Sequence, residues 1–288
     1  MLVSGLRTRF REEGITPSLV LDFQQHVMEF YAAKGRHDME WRHTDDPYKI
    51  LVSEVMLQQT QVPRVAVIYP KFIEKFPDIF ALAKADHADL LTVWQGMGYN
   101  RRALNLQKLA RVIADEYGGK IPNDPAVLLT LPGIGPATSC SIAAFAFDRP
   151  VVFIETNIRR VFIHYFFEED QAVDDRELLP LVSAMLPANS REWYWALMDL
   201  GTALKSAVKN PNQRSRQYTK QKSFEGSDRQ IRGGVLKRML DQKSGMPELF
   251  AEEMDEDPER VRRIMDAMAG EGFFVREEGE IYRLKTGR

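Results

Sequence analysis

The chain has 288 residues, 44% hydrophobic and 28% charged, with a net charge of −2. That length predicts one large domain or two smaller ones with a well-filled core. No apolar run reaches about 18 residues, and Met1 to Gly14 carries charges without an apolar stretch. Neither a membrane span nor a secretory signal is expected, and the expected compartment is the cytoplasm. Cys140 is the single cysteine, so neither an internal disulfide nor a cysteine-held cluster can form within the chain. The histidines do not stand at metal-ligand spacing, and no metal or cofactor is expected.

In chain order, helical patterns joined by short capped turns dominate from residue 19 to about 204. Asp46-Pro47 and Asp124-Pro125 each read as a helix start, with the aspartate capping free amides and the proline at the first helical position. Residues 125–131 read as an apolar helix. Val151 to Ile154 is β-branched but too short to build a sheet. Residues 205–228 are polar, basic and aperiodic, which predicts a loop or linker. Between Lys205 and Lys243 there are eleven Lys/Arg against three Asp/Glu, whereas from Ser244 onward there are seven against twelve. Such a basic segment suits a phosphate backbone and is equally consistent with a solvated linker. Gln230 to Leu240, Pro247 to Met254 and Pro258 to Met268 read as three short helices. A hairpin turning at Glu278-Gly279 follows, and the set predicts a small winged-helix domain.

Three segments carry candidate chemistry. In Leu131-Pro132-Gly133-Ile134-Gly135-Pro136-Ala137-Thr138 two glycines permit a tight turn, and Pro136 opens the next helix. Free amides at such a helix start can hold a phosphate; an ordinary helix–helix turn is the alternative. In Tyr48 to Gln61 apolar side chains surround the helix almost completely, with Glu54 in the middle. A carboxyl in apolar surroundings has a raised pKa, as a general acid near neutral pH requires; a structural Glu paired with an arginine is the alternative. In Val151 to Val161 an extended run ends at a helix start with Glu155 at the junction, where the helix dipole favours the ionised form. Glu155 reads locally as a helix cap first. Together, Glu54 and Glu155 form a proton donor and a charge stabiliser, the division of labour that glycosidic cleavage uses.

Between about Trp41 and Lys205, DPYKILVSEVMLQQTQV, VWQGMGYNRRALNLQKLA, PNDPAVLLTLPGIGPATSCSIAAFAF, ETNIRRV and ALMDLG occur in order. In this the chain resembles the helix-hairpin-helix (HhH-GPD) DNA glycosylase superfamily, and within it the mismatch-specific adenine glycosylases. The resemblance implies an all-α, two-lobed glycosylase domain over residues 1–204, a basic loop over 205–228 and a winged-helix-like α+β domain over 229–288. It makes Glu54 the acid that protonates adenine and Glu155 the stabilising carboxylate. Gln58 and Gln61, one and two helical turns beyond Glu54, fall near positions that line the gap left by the flipped base. Gly98-Tyr99 matches the wedge loop, and Gly133 and Gly135 match the phosphate-gripping hairpin. Thr138 and Asn157 are further expected DNA contacts.

Ala137 stands where lyases of the superfamily carry a lysine, so a monofunctional enzyme using water is implied. Three features depart from the pattern. Glu155 replaces an aspartate. The four cysteines of an iron–sulfur loop are missing, with Tyr218 and Phe224 among the residues that can dock the loop instead. The tail is not the domain that reads 8-oxoguanine in relatives. The implied activity is removal of adenine from A·8-oxoguanine or A·G mispairs in double-stranded DNA by a monomer. The alternatives are a thymine/uracil mismatch glycosylase and a non-catalytic mismatch-binding protein.

Overall fold

The computed structural model describes residues 2–168, 172–220 and 223–285. The helices are α1 (Leu2–Glu13), α2 (Pro17–Lys34), α3 (Pro47–Leu57), α4 (Val62–Lys75), α5 (Ile79–Ala83), α6 (His87–Val93), α7 (Arg101–Glu116), α8 (Pro125–Leu128), α9 (Pro136–Phe147), α10 (Thr156–Phe166), α11 (Asp175–Ala184) and α12 (Ser190–Ala207). Next come α13 (Asp228–Gln242), β1 (Ser244–Gly245), α14 (Pro247–Met254), α15 (Pro258–Glu271), β2 (Phe274–Arg276) and β3 (Tyr282–Leu284). The expected proline starts are present: Asp124 caps α8 through the Ala126 amide, and Asp257 caps α15 through the Arg260 amide. The predicted helix over 125–131 ends early, at Leu128. Leu131 precedes Pro132, whose ring disfavours helical backbone at the residue before it. Val151 to Ile154 runs between α9 and α10 with no strand pairing.

The chain divides into two compact units. The first comprises the described residues of 1–50, 123–129 and 135–220. Its core is aromatic: Phe23 of α2 packs against Phe162, Tyr165 and Phe166 of α10 and Trp193 of α12, with ring centroids 5.0–6.0 Å apart. Each such fully buried ring contributes about 2–3 kcal/mol by leaving water. A second anchor is ionic. Asp199 of α12 is almost fully buried, and its carboxylate accepts hydrogen bonds from Arg42 at 2.9 Å and from the Arg36 backbone and side chain at 2.7 Å.

The second unit comprises the described residues of 51–122, 130–134 and 221–288. Phe72 of α4 packs edge-on against Phe76 and Trp94. In its C-terminal part, α13, α14 and α15 bury Val235, Met239, Phe250, Val261, Met265 and Met268. The sheet is antiparallel with order β1-β3-β2, Gly245 facing Tyr282 and Val275 facing Arg283. Gly279 sits in the β2–β3 turn with φ 74°, as the predicted hairpin requires. Three helices with a small antiparallel sheet are what the sequence pattern of the tail predicts.

Candidate active site

Glu54 lies in the last two turns of α3, half-buried, with fully buried neighbours at Val52, Ser53, Val55 and Met56. The helix stops three residues later. Sequence reasoning carried the helix to Gln61; instead Gln59 adopts φ 54° and Gln61 becomes the N-cap of α4, exposed to solvent. Pro63, near the start of α4, lacks the amide a continuous helix would need there. Gln58 donates from Nε2 to the Gly133 carbonyl at 3.3 Å, so the end of α3 touches the glycine turn. Gln58 and Gln61 therefore occupy a turn, not successive helical turns above Glu54.

That turn is built around Arg102, whose role the sequence did not disclose. Its Nη1 donates to the carbonyls of Val55, Met56 and Gln58 at 2.7–2.8 Å, and its Nη2 to Thr60 Oγ1 at 2.9 Å and Gly98 O at 3.1 Å. A helix leaves its last carbonyls without partners; one guanidinium here supplies them and ties them to the 96–99 loop. Burial pulls the Arg102 pKa down to about 10, so the group stays charged at neutral pH. The loop itself is tightly wound: Gly96, Gly98 and Tyr99 have φ of 85°, 70° and 48°. A non-glycine residue in the left-handed region is uncommon and gathers at functional loops. Tyr99 is 39% exposed, stacks under Arg102 with the guanidinium 5.6 Å from its centroid, and its hydroxyl accepts from Arg229 at 3.2 Å.

Gly133 has φ 81°, and a Cβ there would stand 2.9 Å from Asn105 Cβ, so the turn needs glycine for conformation and for space. Gly135 is the N-cap of α9 with no side-chain cap, Pro136 follows at the first helical position, and Thr138 lies in the first turn. The amides at this helix start are free of a capping side chain, as an anion site requires. Ala137 is half-buried there and offers no amine.

Glu155 is the N-cap of α10. Its Oε1 accepts from the amides of Asn157 at 2.6 Å and Ile158 at 2.9 Å, and its Oε2 is 3.4 Å from Asn157 Nδ2. The helix-cap reading of the sequence is thus present in full. The residue is half-buried, but its carboxyl group is enclosed. Burial pushes its pKa up; the two amides, Arg160 and Arg159 pull it back only in part. The helix dipole therefore softens, and does not overcome, the cost of burying this charge.

The supports of Glu155 come from α12 and the loop after it. Arg160, almost fully buried, donates to Asn157 Oδ1 at 2.7 Å and to Gly201 O at 2.6 Å. Gly201 lets α12 approach: a Cβ there would lie 2.5 Å from Asn157 O and 2.6 Å from Asn157 Cβ. Tyr194 donates to Val151 O at 2.7 Å and packs on Phe153 at 4.3 Å, fixing the extended run before Glu155.

The basic loop is also docked, though not through the aromatic residues named from the sequence. Tyr218 and Phe224 are 42% and 60% exposed. Instead Asn212 donates to Thr156 O at 2.9 Å, and Arg214 donates to Ile163 O and Phe167 O at 3.1 Å. The amide of Asn212 and the guanidinium of Arg214 supply N–H donors to these backbone carbonyls. Among the described residues no group of three or more His, Cys, Asp or Glu is placed to hold a metal ion. With Cys140 alone, the chain does not fit a four-cysteine iron–sulfur cluster. No helix among the described residues is long and apolar enough to cross a membrane.

Comparison with known proteins places the chain in a family. Residues 52–179 match the model of the HhH-GPD superfamily base excision DNA repair proteins. An adenine DNA glycosylase of Mycolicibacterium smegmatis is 33% identical over 282 residues, 90% of this chain and 92% of that protein. One of Buchnera aphidicola subsp. Baizongia pistaciae is 35% identical over 186 residues, 64% of this chain, which spans about half (53%) of that protein. Among solved structures, a thermostable thymine-DNA glycosylase superposes with a TM-score of 0.58 at 27% identity, covering 67% of this chain and 91% of that one. A non-covalent endonuclease III–DNA complex superposes with a TM-score of 0.53 at 21% identity, covering 66% and 86%, a likeness of fold in a relative solved on DNA. The chain is a DNA glycosylase, a hydrolase of N-glycosyl bonds, and belongs to the HhH-GPD superfamily of base excision repair proteins alongside the adenine DNA glycosylases.

Proposed function

We propose that the protein removes adenine from A·8-oxoguanine or A·G mispairs in double-stranded DNA, by a monofunctional reaction that leaves an intact abasic site. The observation that carries the chemistry is the Glu155 carboxylate, held by two amides at 2.6 and 2.9 Å at the start of α10. A carboxylate so fixed can face the positive charge that develops on a sugar as its glycosidic bond breaks. Glu54 is the proton donor to the departing base in this reading. Extrusion costs a few kcal/mol and is least at mismatches, which directs the enzyme to mispaired sites. The glycine turn before α9 and the wedge around Tyr99 grip and open the duplex.

Ala137 supports the monofunctional outcome, because alanine cannot form a Schiff base and water must complete the displacement. The substrate choice is supported by the relative aligned along 90% of the chain. Thymine or uracil opposite guanine is the second reading, supported by the thymine-DNA glycosylase likeness at 27% identity.

Base release from a panel of duplexes carrying A·8-oxoguanine, A·G, T·G and U·G separates the two. Adenine release without strand breaks before alkali is expected. Glu54→Gln and Glu155→Gln should each lower that release by about 100-fold or more, the scale of a lost acid or charge stabiliser. Release of thymine or uracil alone, or borohydride trapping of the enzyme on DNA, would refute the proposal. No base release from any duplex would leave a mismatch-binding protein.

A further inference from the structure

Within the second unit, a groove of about 980 Å³ runs between the 96–101 loop and α13. Six cations line it: Arg64, Arg101, Arg102, Arg229, Arg232 and Lys237. The acidic residue in its wall is Glu271, already paired with Arg232 at 2.6 Å. Arg102 and Arg229 are engaged by the wedge loop as described. Arg64, Arg101 and Lys237 are exposed and form no ion pair among the described residues. Charges left unneutralised along one groove repel one another, so this surface gains most from a polyanion. A volume of this size exceeds what one small anion fills and suits a strand with successive phosphates.

We infer that this groove is a second DNA-binding track, in which α13 and the wedge loop together clasp a phosphodiester backbone beside Tyr99. It extends the reading of the chain as a DNA glycosylase to the C-terminal segment, which joins the grip on the duplex. The bond from Arg229 to the Tyr99 hydroxyl makes that segment part of the wedge's own support. Recognition in this track is of backbone phosphates, whose contacts fix register and affinity and carry no sequence information directly.

A glycine pair in α13 supplies a test that removes no existing contact. A side chain at Gly234 would meet Met254 Sδ at 2.7 Å, whereas one at Gly233 meets nothing within 4 Å and projects from the groove wall. Gly233→Lys and Gly233→Glu both improve helix propensity over glycine, so neither should weaken the fold. The probe is a short unmodified duplex, with binding measured over a salt series. Gly233→Lys should tighten binding and steepen the slope of log K against log salt by about 0.9. Gly233→Glu should weaken binding about threefold or more. Unchanged affinity in both, or a shift of the same sign in both, overturns the inference. So does binding of polyglutamate by the parent protein as tight as its binding of duplex, which would mark a site for an acidic polypeptide. Because an unmodified duplex offers no base to excise, the outcome is independent of which base the enzyme removes.

Discussion

Gly201→Ala should disable the reaction while leaving DNA binding in place. The added Cβ would lie 2.5 Å from Asn157 O and 2.6 Å from Asn157 Cβ, both on the first turn of α10. Ordinary contact needs about 3.4 Å, so the start of α10 must withdraw from α12 by about 1 Å, and overpacking of this kind costs about 1–3 kcal/mol. Glu155 rides on the same turn through its bonds to the Asn157 and Ile158 amides and must move with it. A misplacement of about 1 Å at a reacting group lowers rates by about 100-fold. Helix propensity works the other way, since alanine is favoured over glycine by about 1 kcal/mol, so a loss can be assigned to the collision. The assay is single-turnover base release with enzyme in excess, beside thermal unfolding and duplex affinity. Gly270→Ala, within α15 and in open space, is the control. A Gly201→Ala protein with lowered Tm but the parent rate would show that the start of α10 does not hold the reacting carboxylate.

Arg102→Met should destabilise the fold by at least about 1–3 kcal/mol in denaturant unfolding, because the carbonyls of Val55, Met56 and Gln58 lose a buried charged donor; Arg102→Lys should recover only part, having no fork to span them. Glu155→Gln should raise Tm at pH 8 while lowering base release by about 100-fold or more: the folded pKa lies above the unfolded value, so the ionised form costs stability once pH rises through it. That gain should shrink toward acid pH, where the parent is itself protonated. In the parent enzyme the acid limb of the rate should fall at a pH above the ordinary carboxylate range, since the role proposed for Glu155 needs its ionised form and burial raises its pKa. Asp199→Asn should cost about 3–5 kcal/mol at neutral pH by leaving Arg42 buried without its partner. Burial alone would raise the Asp199 pKa, but Arg42 and Arg36 hold it below the usual range. The ion pair is therefore fully present above about pH 4, and the difference between Asn and Asp should close as pH falls through the folded value.

What was legible in the sequence is what local rules govern. The proline-marked starts of α8, α14 and α15, the glycine turn before α9 and the hairpin at Gly279 each follow from the conformational limits of one or two residues. Glu155 was legible as a cap for the same reason. The helix over Tyr48–Gln61 was misjudged at its end: the apolar pattern stops at Leu57 with the helix, and nothing local in Gln58 to Gln61 marks the turn at Gln59 that meets Arg102, 43 positions later in the sequence. Arg102, Gly201 and Arg214 serve distant backbone groups, and no periodicity announces which arginine or glycine will do so. The signal available for Gly201 was its place in ALMDLG: a glycine inside an otherwise well-formed helix costs stability unless a neighbour needs the room.

The loop after α12 shows how the glycosylase scaffold can dispense with a metal cluster. In the resemblance to the wider superfamily, this stretch is where four cysteines would close an iron–sulfur loop. Here Asn212 binds the Thr156 carbonyl at the start of α10, and Arg214 binds the Ile163 and Phe167 carbonyls at its end. Both ends of one helix are thereby fixed by the same short segment, and Arg160 in between is bonded to Asn210 at 3.3 Å. At the end of α10 Arg214 adds charge-assisted bonds to the Ile163 carbonyl, which also accepts from the Phe167 amide, and to the carbonyl of the C-cap residue Phe167. The helix so held is the one whose first turn carries Glu155. Burial disfavours the charge on that side chain. A group held against such a cost keeps its position only if its frame cannot relax around it, and α10 clamped by Asn212, Arg214 and the close approach of Gly201 is that frame.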